Sequence, residues 1–205
     1  MKNFLGTIRI YSLLDFVLLL FAIGLSNQKI IGFTILHLGF LFFLEYQHKH
    51  SYRGIHSPYL WITLFILGTL ISGEYIVSIL FIFFSFLYAQ KNKSKWGLIS
   101  PIIRGLQNYT IPAVILGWTS YMAIIVFFVF FVRNLCGDIR DSGKDGREGM
   151  HTIPLFLGLK RNVPYLHLFT VMLTSTLWWS LTELHIGILL TVLVLQILTY
   201  NITRR

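Results

Sequence analysis

Apolar residues occur along this chain in long continuous runs that short polar stretches separate. About 20 such residues are enough for a helix to cross a bilayer, whereas the strands of a membrane barrel would alternate apolar and polar residues. The pattern therefore predicts an all-α fold, a polytopic bundle of about eight transmembrane helices that forms a single domain over residues 1–205. The predicted spans cover about 10–25, 29–46, 58–73, 75–90, 100–117, 119–135, 163–180 and 184–201.

Composition agrees with a membrane protein. Hydrophobic residues make up 55% of the chain and charged residues only 12%, and the mean hydropathy is +0.70. Soluble domains contain about 25% charged residues. No small-residue cleavage site follows the first apolar run, so we interpret it as a span and not as a cleaved signal. The single cysteine, Cys136, excludes an intrachain disulfide and a cysteine-built metal site.

The net charge of +9 has a topological explanation. With the spans as predicted, every lysine and arginine except Lys29 falls on the same side of the membrane. This distribution is the positive-inside pattern, and it predicts an integral membrane protein whose termini and long polar loops are cytoplasmic. Nucleic acid is therefore not an expected partner, whereas membrane lipid is.

One polar stretch, RNLCGDIRDSGKDGREGMHTIP at 133–154, concentrates charge directly after the sixth predicted span. Asp138, Asp141 and Asp145 would share one face if the helix continued, because residues three, four and seven apart align. Such carboxylates repel one another unless a cation lies between them, and oxygen-only ligands suit magnesium. Magnesium held by few carboxylates takes its other ligands from water and substrate phosphates. A solvated loop of mixed charge is the alternative interpretation.

The same stretch carries a resemblance to a known family. DIRDSGKDGREGMHTIPLFLG, at 138–158, resembles the second aspartate-rich motif of the UbiA superfamily of intramembrane prenyltransferases, approximately D-I-x-D-x-x-x-D-R-x-x-G-x-x-T-L-P. Gly146 stands where the motif has arginine, and Arg147 follows it. The resemblance implies a UbiA-like helical bundle around a central cavity. It also implies Mg²⁺-dependent transfer of an isoprenoid chain from a prenyl diphosphate to a lipophilic acceptor.

The resemblance also implies roles for individual residues. Asp138, Asp141 and Asp145 would be the catalytic, metal-binding carboxylates, and Asn134 lies one turn earlier, where it could support them. The diphosphate would be bound by Arg147 and by Arg104, which lies in ISPIIR at the fifth span. Arginine can bind phosphate through two parallel hydrogen bonds.

The chain departs from the family after the second span, where family members carry their first aspartate-rich motif, N-D-x-x-D-x-x-x-D. Here residues 45–58 read EYQHKHSYRGIHSP, with Glu45 as the only carboxylate. Three interpretations remain open. Glu45 or a histidine replaces lost metal ligands, His48 or His50 acts as a base or acceptor near neutral pH, or the protein is a catalytically silent isoprenoid-binding or assembly protein. The sequence does not indicate the acceptor, the chain length of the prenyl group or the oligomeric state.

Two polar residues lie inside predicted spans. Asp15, in the first span, could face a cavity or be a structural carboxyl, because a carboxylate inside a membrane is costly. His37, in the second span, is more simply explained as a residue that makes an interhelical hydrogen bond than as a site residue.

Overall fold

The computed structural model describes residues 8–47, 57–92, 94–159 and 161–203. Within these ranges the chain forms nine α-helices, two short 3₁₀ helices at Gln90–Asn92 and Ser94–Leu98, and no β-strand. The all-α prediction is confirmed, and each of the eight predicted segments contains a helix. The α-helices are α1 (Ile10–Ala22), α2 (Asn27–Gln47), α3 (Pro58–Ser72), α4 (Tyr75–Ala89), α5 (Ser100–Leu116), α6 (Tyr121–Arg147), α7 (Ile153–Phe156), α8 (Pro164–Ser180) and α9 (Ile186–Thr203).

Two of these helices, α2 and α6, are long and apolar enough to cross a membrane. α2 has 21 residues and α6 has 27. Four further helices are apolar but shorter, and they are α1, α3, α4 and the part of α9 up to Tyr200. The described residues therefore contain segments suited to a membrane, although two such helices are fewer than the eight predicted spans.

Helix α6 extends about three turns beyond the predicted end of the sixth span, so the acidic stretch is helical. The helix ends where Gly149 adopts a left-handed conformation, with φ of 70°. The Met150 amide then donates to the Asp145 carbonyl at 2.9 Å, which closes the last turn in the manner of a Schellman motif. At a rise of 1.5 Å per residue, α6 is about 40 Å long. Its apolar residues come first, and the acidic stretch forms its C-terminal end.

The chain divides into two compact units, which we describe separately. The first unit comprises residues 1–78 and 171–205, and the second comprises residues 79–170. In the first unit, α2 and α3 approach closely through glycines: a Cβ atom on Gly68 would lie 2.6 Å from the backbone nitrogen of Leu36. The prediction of one transmembrane domain over the whole chain stays a prediction.

The first unit buries both polar residues noted in the sequence. The Asp15 Oδ1 atom accepts hydrogen bonds from the hydroxyls of Thr174 (2.6 Å) and Ser175 (3.0 Å) in α8. Gln196 in α9 extends this network, because its amide nitrogen donates to Ser175 Oγ at 2.6 Å. His37 is fully buried and stacks on Phe16 of α1, with 4.1 Å between ring centroids. Asp15 therefore has the contacts of a structural carboxyl, and His37 makes an interhelical contact.

Candidate functional site

The predicted aspartates lie in the second unit, on one face of α6. Asp138 and Asp145 are buried, with exposed fractions of 1% and 4%, while Asp141 is half-buried. The shared face predicted from the spacing is therefore present. Each carboxylate has a different environment, which decides what it can bind.

Asp138 is surrounded by hydrogen-bond donors. Its Oδ1 atom contacts the ammonium group of Lys91, which reaches it from the 3₁₀ helix after α4. Its Oδ2 atom lies 3.4 Å from both Ser100 Oγ of α5 and Asn134 Nδ2 of α6. Three elements thus supply donors to one carboxylate. Asn134, which was predicted to support the aspartates, contacts Asp138 directly.

Lys91 was not identified from the sequence as a site residue. Burial acts to lower the pKa of its ammonium, but the carboxylate charges of Asp138 and Asp145, with the hydrogen bond to Asp138, outweigh burial and raise the pKa. Lys91 therefore stays charged at neutral pH. In the sequence, Lys91 belongs to a run of basic residues after the fourth span, which the positive-inside pattern already explains.

Asp141 is paired with its neighbour along the helix. The Arg140 guanidinium donates to both carboxylate oxygens, at 2.9 Å and 2.5 Å. Burial acts to raise the pKa of Asp141, but the charge and hydrogen bonds of Arg140, together with Lys91 and Lys144, bring it below the ordinary value. Asp141 is therefore an anion that remains partly open to solvent.

Asp145 is the least satisfied of the three carboxylates. Its Oδ2 atom is buried and has no hydrogen-bond partner within the described ranges. Burial, with added repulsion from Asp141 and Asp138, raises the pKa of Asp145 to about 6. A buried carboxylate oxygen without a donor is costly, so this atom is suited to a cation that the protein itself does not provide.

A basic layer lies next to these carboxylates. Arg104 of α5 is buried, and it donates to Gln107, whose amide in turn donates to Ser85 Oγ of α4 at 2.5 Å. The Arg104 guanidinium carbon is 5.9 Å from the ring centroids of both Tyr88 and Phe130, within cation–π range.

Tyr88 connects the basic layer to the acidic face. Its hydroxyl donates to Asn134 Oδ1 at 2.8 Å, and Asn134 is the neighbour of Asp138 described above. Arg133 was not predicted as a site residue, yet it is buried and its guanidinium lies 5.3 Å from the Phe130 ring. A chain of contacts thus runs from Arg104 through Tyr88 and Asn134 to Asp138, and Lys91 of the 3₁₀ helix contacts the same carboxylate. These residues, with Asp141 and Asp145 on the same helix face, form one cluster.

The loop after α6 is held closely against the cluster. A Cβ atom on Gly97 would collide with the carbonyl oxygen of His151, so only glycine fits at that position. Thr152, which matches the threonine of the motif, is fully buried. The Ser142 hydroxyl and the Gly143 amide bond to Arg161 and Asn162 at 2.8 Å and 2.7 Å, which fixes the following segment.

The remaining predicted site residues have other surroundings or lie outside the described residues. Arg147 is exposed at the last position of α6. Glu45 belongs to the first unit, where it is fully buried with its Oε1 atom 3.5 Å from the Arg9 guanidinium. His48 and His50 lie outside the described residues. The contribution of Glu45 to a metal site stays a prediction.

Among the described residues, no three histidine, cysteine or acidic side chains lie close enough to hold a metal ion together. The donor chemistry nevertheless suits magnesium at one end of the acidic face. Asp145 has an unpartnered oxygen, and Asp141 is partly exposed. Magnesium commonly uses one or two carboxylates and completes its shell with water and phosphate oxygens.

Comparison with known proteins identified no relative. No family model matches the chain, and neither the curated proteins nor the solved structures give a significant match.

Proposed function

We propose that this protein is an integral membrane prenyltransferase. It would transfer an isoprenoid chain from a prenyl diphosphate to a lipophilic acceptor, with Mg²⁺ as cofactor and about eight transmembrane helices of UbiA type. The observation that carries the proposal is the cluster in the second unit. There, Asp138, Asp141 and Asp145 share one face of α6 with Arg104 and Lys91 nearby.

Membrane placement is supported by the exposed apolar side chains. Large apolar residues project outward from helices whose inner faces are packed, which is costly in water and favourable in hydrocarbon. Examples from α3, α4 and α6 are Ile66, Leu70, Ile79, Phe83 and Phe128, each more than half exposed. The distribution of basic residues supports cytoplasmic termini and a cytoplasmic acidic face.

The chemistry of the proposed reaction matches the charges of the cluster. The bond between C1 of the prenyl chain and the diphosphate oxygen breaks, and its electron pair leaves with the diphosphate. The acceptor forms the new bond to C1 and releases a proton. Magnesium held by these carboxylates would supply positive charge to the leaving group, and the buried Arg104 guanidinium would donate to its oxygens. Apolar neighbours such as Phe130 shield the allylic cation from water.

A silent isoprenoid-binding or assembly protein is the second candidate. It is favoured by the pairing of three of the predicted metal-site carboxylates with cations of the protein itself: Asp138 with Lys91, Asp141 with Arg140, and Glu45 with Arg9. Such pairing reduces the negative charge left for metal ions. The unpartnered oxygen of Asp145 argues for the enzyme.

The first test is binding of geranylgeranyl diphosphate to the purified full-length protein in detergent, with magnesium or with EDTA. We expect magnesium-dependent binding that Asp141→Asn weakens about 10–100-fold, because one carboxylate of the metal site is lost. Asp15→Asn is the matched control, since it alters a buried carboxyl in the first unit and should retain binding wherever the variant is folded. Binding that needs neither magnesium nor Asp141 would favour the silent protein, and absence of binding would exclude both functions.

A further inference from the structure

Lys91 occupies an unusual position in the acidic face. Its side chain is only 17% exposed, and its ammonium group contacts Asp138, whose side chain is 2% exposed. The two residues are 47 positions apart, so the pairing depends on the tertiary structure and not on local sequence.

The ammonium acts on more than one carboxylate. Besides its contact with Asp138, its charge favours the ionised forms of both Asp141 and Asp145. One fixed positive charge therefore offsets the mutual repulsion of three carboxylates. A metal ion between the same carboxylates would have the same electrostatic effect.

Asp138 has little remaining capacity to bind a metal. Its Oδ1 atom is engaged by Lys91, and Ser100 and Asn134 both approach Oδ2. Asp145 is the opposite case, because its Oδ2 atom is buried without a hydrogen-bond partner among the described residues. Asp141, between them, accepts hydrogen bonds from Arg140 through both oxygens, but its side chain is 39% exposed, so water and a metal ion can still reach it. A metal ion entering this face would therefore meet a satisfied carboxylate at Asp138 and an unsatisfied oxygen at Asp145.

We propose that Lys91 is a built-in counter-cation that replaces a divalent metal ion at Asp138, so that the acidic face binds a single Mg²⁺ through Asp141 and Asp145. This inference rests on the proposed function and specifies how its metal site is arranged.

The test uses Mn²⁺ as a paramagnetic substitute for Mg²⁺. Its binding to the full-length protein in detergent is followed by electron paramagnetic resonance, without any prenyl diphosphate. We expect one Mn²⁺ per chain in the unaltered protein. The double variant Lys91→Met/Asp138→Asn removes both members of the buried pair, so no charge is left uncompensated. It should keep one Mn²⁺ with an affinity changed by no more than about threefold, whereas Asp145→Asn should weaken binding at least about tenfold.

The single variant Lys91→Met adds a second measurement. It leaves Asp138 without its counter-cation, so Mn²⁺ should bind there as well, and the stoichiometry should rise from one to two. Lys91→Arg keeps the charge and should retain a stoichiometry of one. If the double variant loses Mn²⁺ as Asp145→Asn does, Asp138 is itself a metal ligand and the inference is overturned. It is also overturned if the unaltered protein binds no Mn²⁺.

Binding of geranylgeranyl diphosphate to the same samples separates this inference from the proposed function. The expected Mn²⁺ pattern without diphosphate binding would support Lys91 as the counter-cation and contradict the prenyltransferase function. Magnesium-dependent binding of the diphosphate, together with loss of Mn²⁺ binding in the double variant, would support the prenyltransferase function and contradict the proposed role of Lys91.

Discussion

Asp15 and Asp145 are both buried carboxyls on apolar helices, and their surroundings differ. Asp15, in the first unit, accepts two hydroxyl hydrogen bonds from α8, and Gln196 supports one of those hydroxyls. Asp145, in the second unit, has an oxygen without a hydrogen-bond partner in the described ranges and is repelled by Asp138 and Asp141. The first arrangement stabilises the fold. The second weakens the protein locally and concentrates negative charge, as expected where a site must bind a cation.

The largest expected effect is in the first unit, whose helices are packed backbone to backbone. In Gly68→Val the new side chain would collide with the backbone of Leu36 and the carbonyl oxygen of Gly32, so α2 and α3 have to separate. We expect a loss of about 3 kcal/mol or more in the free energy of unfolding. Thermal unfolding in detergent measures it, with the exposed neighbouring change Leu67→Val as control. Equal melting temperatures for the two variants would contradict this packing.

The sharpest test of the comparison is the same substitution at both carboxyls. Asp15→Asn should destabilise the protein by about 1–3 kcal/mol, because the acceptor of two buried hydroxyls is weakened. Asp145→Asn should stabilise the metal-free protein by about 1–3 kcal/mol, because the charge that burial and its neighbours oppose is removed. Thermal unfolding at pH 7.5 in EDTA gives both values. Changes of the same sign would mean that the two environments do not differ as described.

The stabilisation expected for Asp145→Asn should also depend on pH. The pKa of Asp145 is raised to about 6 from its ordinary 3.8, so the folded protein binds this proton more tightly than the unfolded chain does. Stability due to this group therefore increases as the pH falls through 6 and levels off below about 4. The advantage of Asp145→Asn over the unaltered protein should accordingly be full at pH 7.5 and largely lost at pH 4.5. An advantage that does not change with pH would exclude the charge of Asp145 as its cause.

The smallest expected effect concerns the partly exposed ion pair of the second unit. Arg140→Gln removes the partner of Asp141, whose side chain is 39% exposed. Solvent screening limits such pairs, so we expect a loss of less than about 1 kcal/mol in unfolding free energy. The same thermal assay measures it, with Lys144→Gln as control for the loss of a basic residue on α6. A loss as large as that of Asp15→Asn would show that Asp141 is more deeply engaged than its exposure indicates.

The helices could be predicted from the sequence because the length of an apolar run is a local property. The eight predicted segments all contain helices, and the spacing of Asp138, Asp141 and Asp145 correctly indicated one face. Asn134, one turn before Asp138 on the same helix, could be predicted as a neighbour, whereas the partners on other elements could not. The contact between Lys91 and Asp138 joins positions 47 apart, and Lys91 resembled the other loop lysines. The pairing of Glu45 with Arg9 has the same cause, since it depends on how α1 and α2 pack.

Helix α6 has one further consequence under the proposed membrane placement. It carries Phe130 and Asp145 on one uninterrupted helix about 40 Å long, whereas the hydrocarbon of a typical bilayer is about 30 Å thick. The apolar part of α6 comes first, so this part would lie in the hydrocarbon and the last three turns would extend beyond it. Asp145 is joined to the apolar part by continuous helix, so a tilt of α6 would change the depth of the carboxylates relative to the aqueous phase.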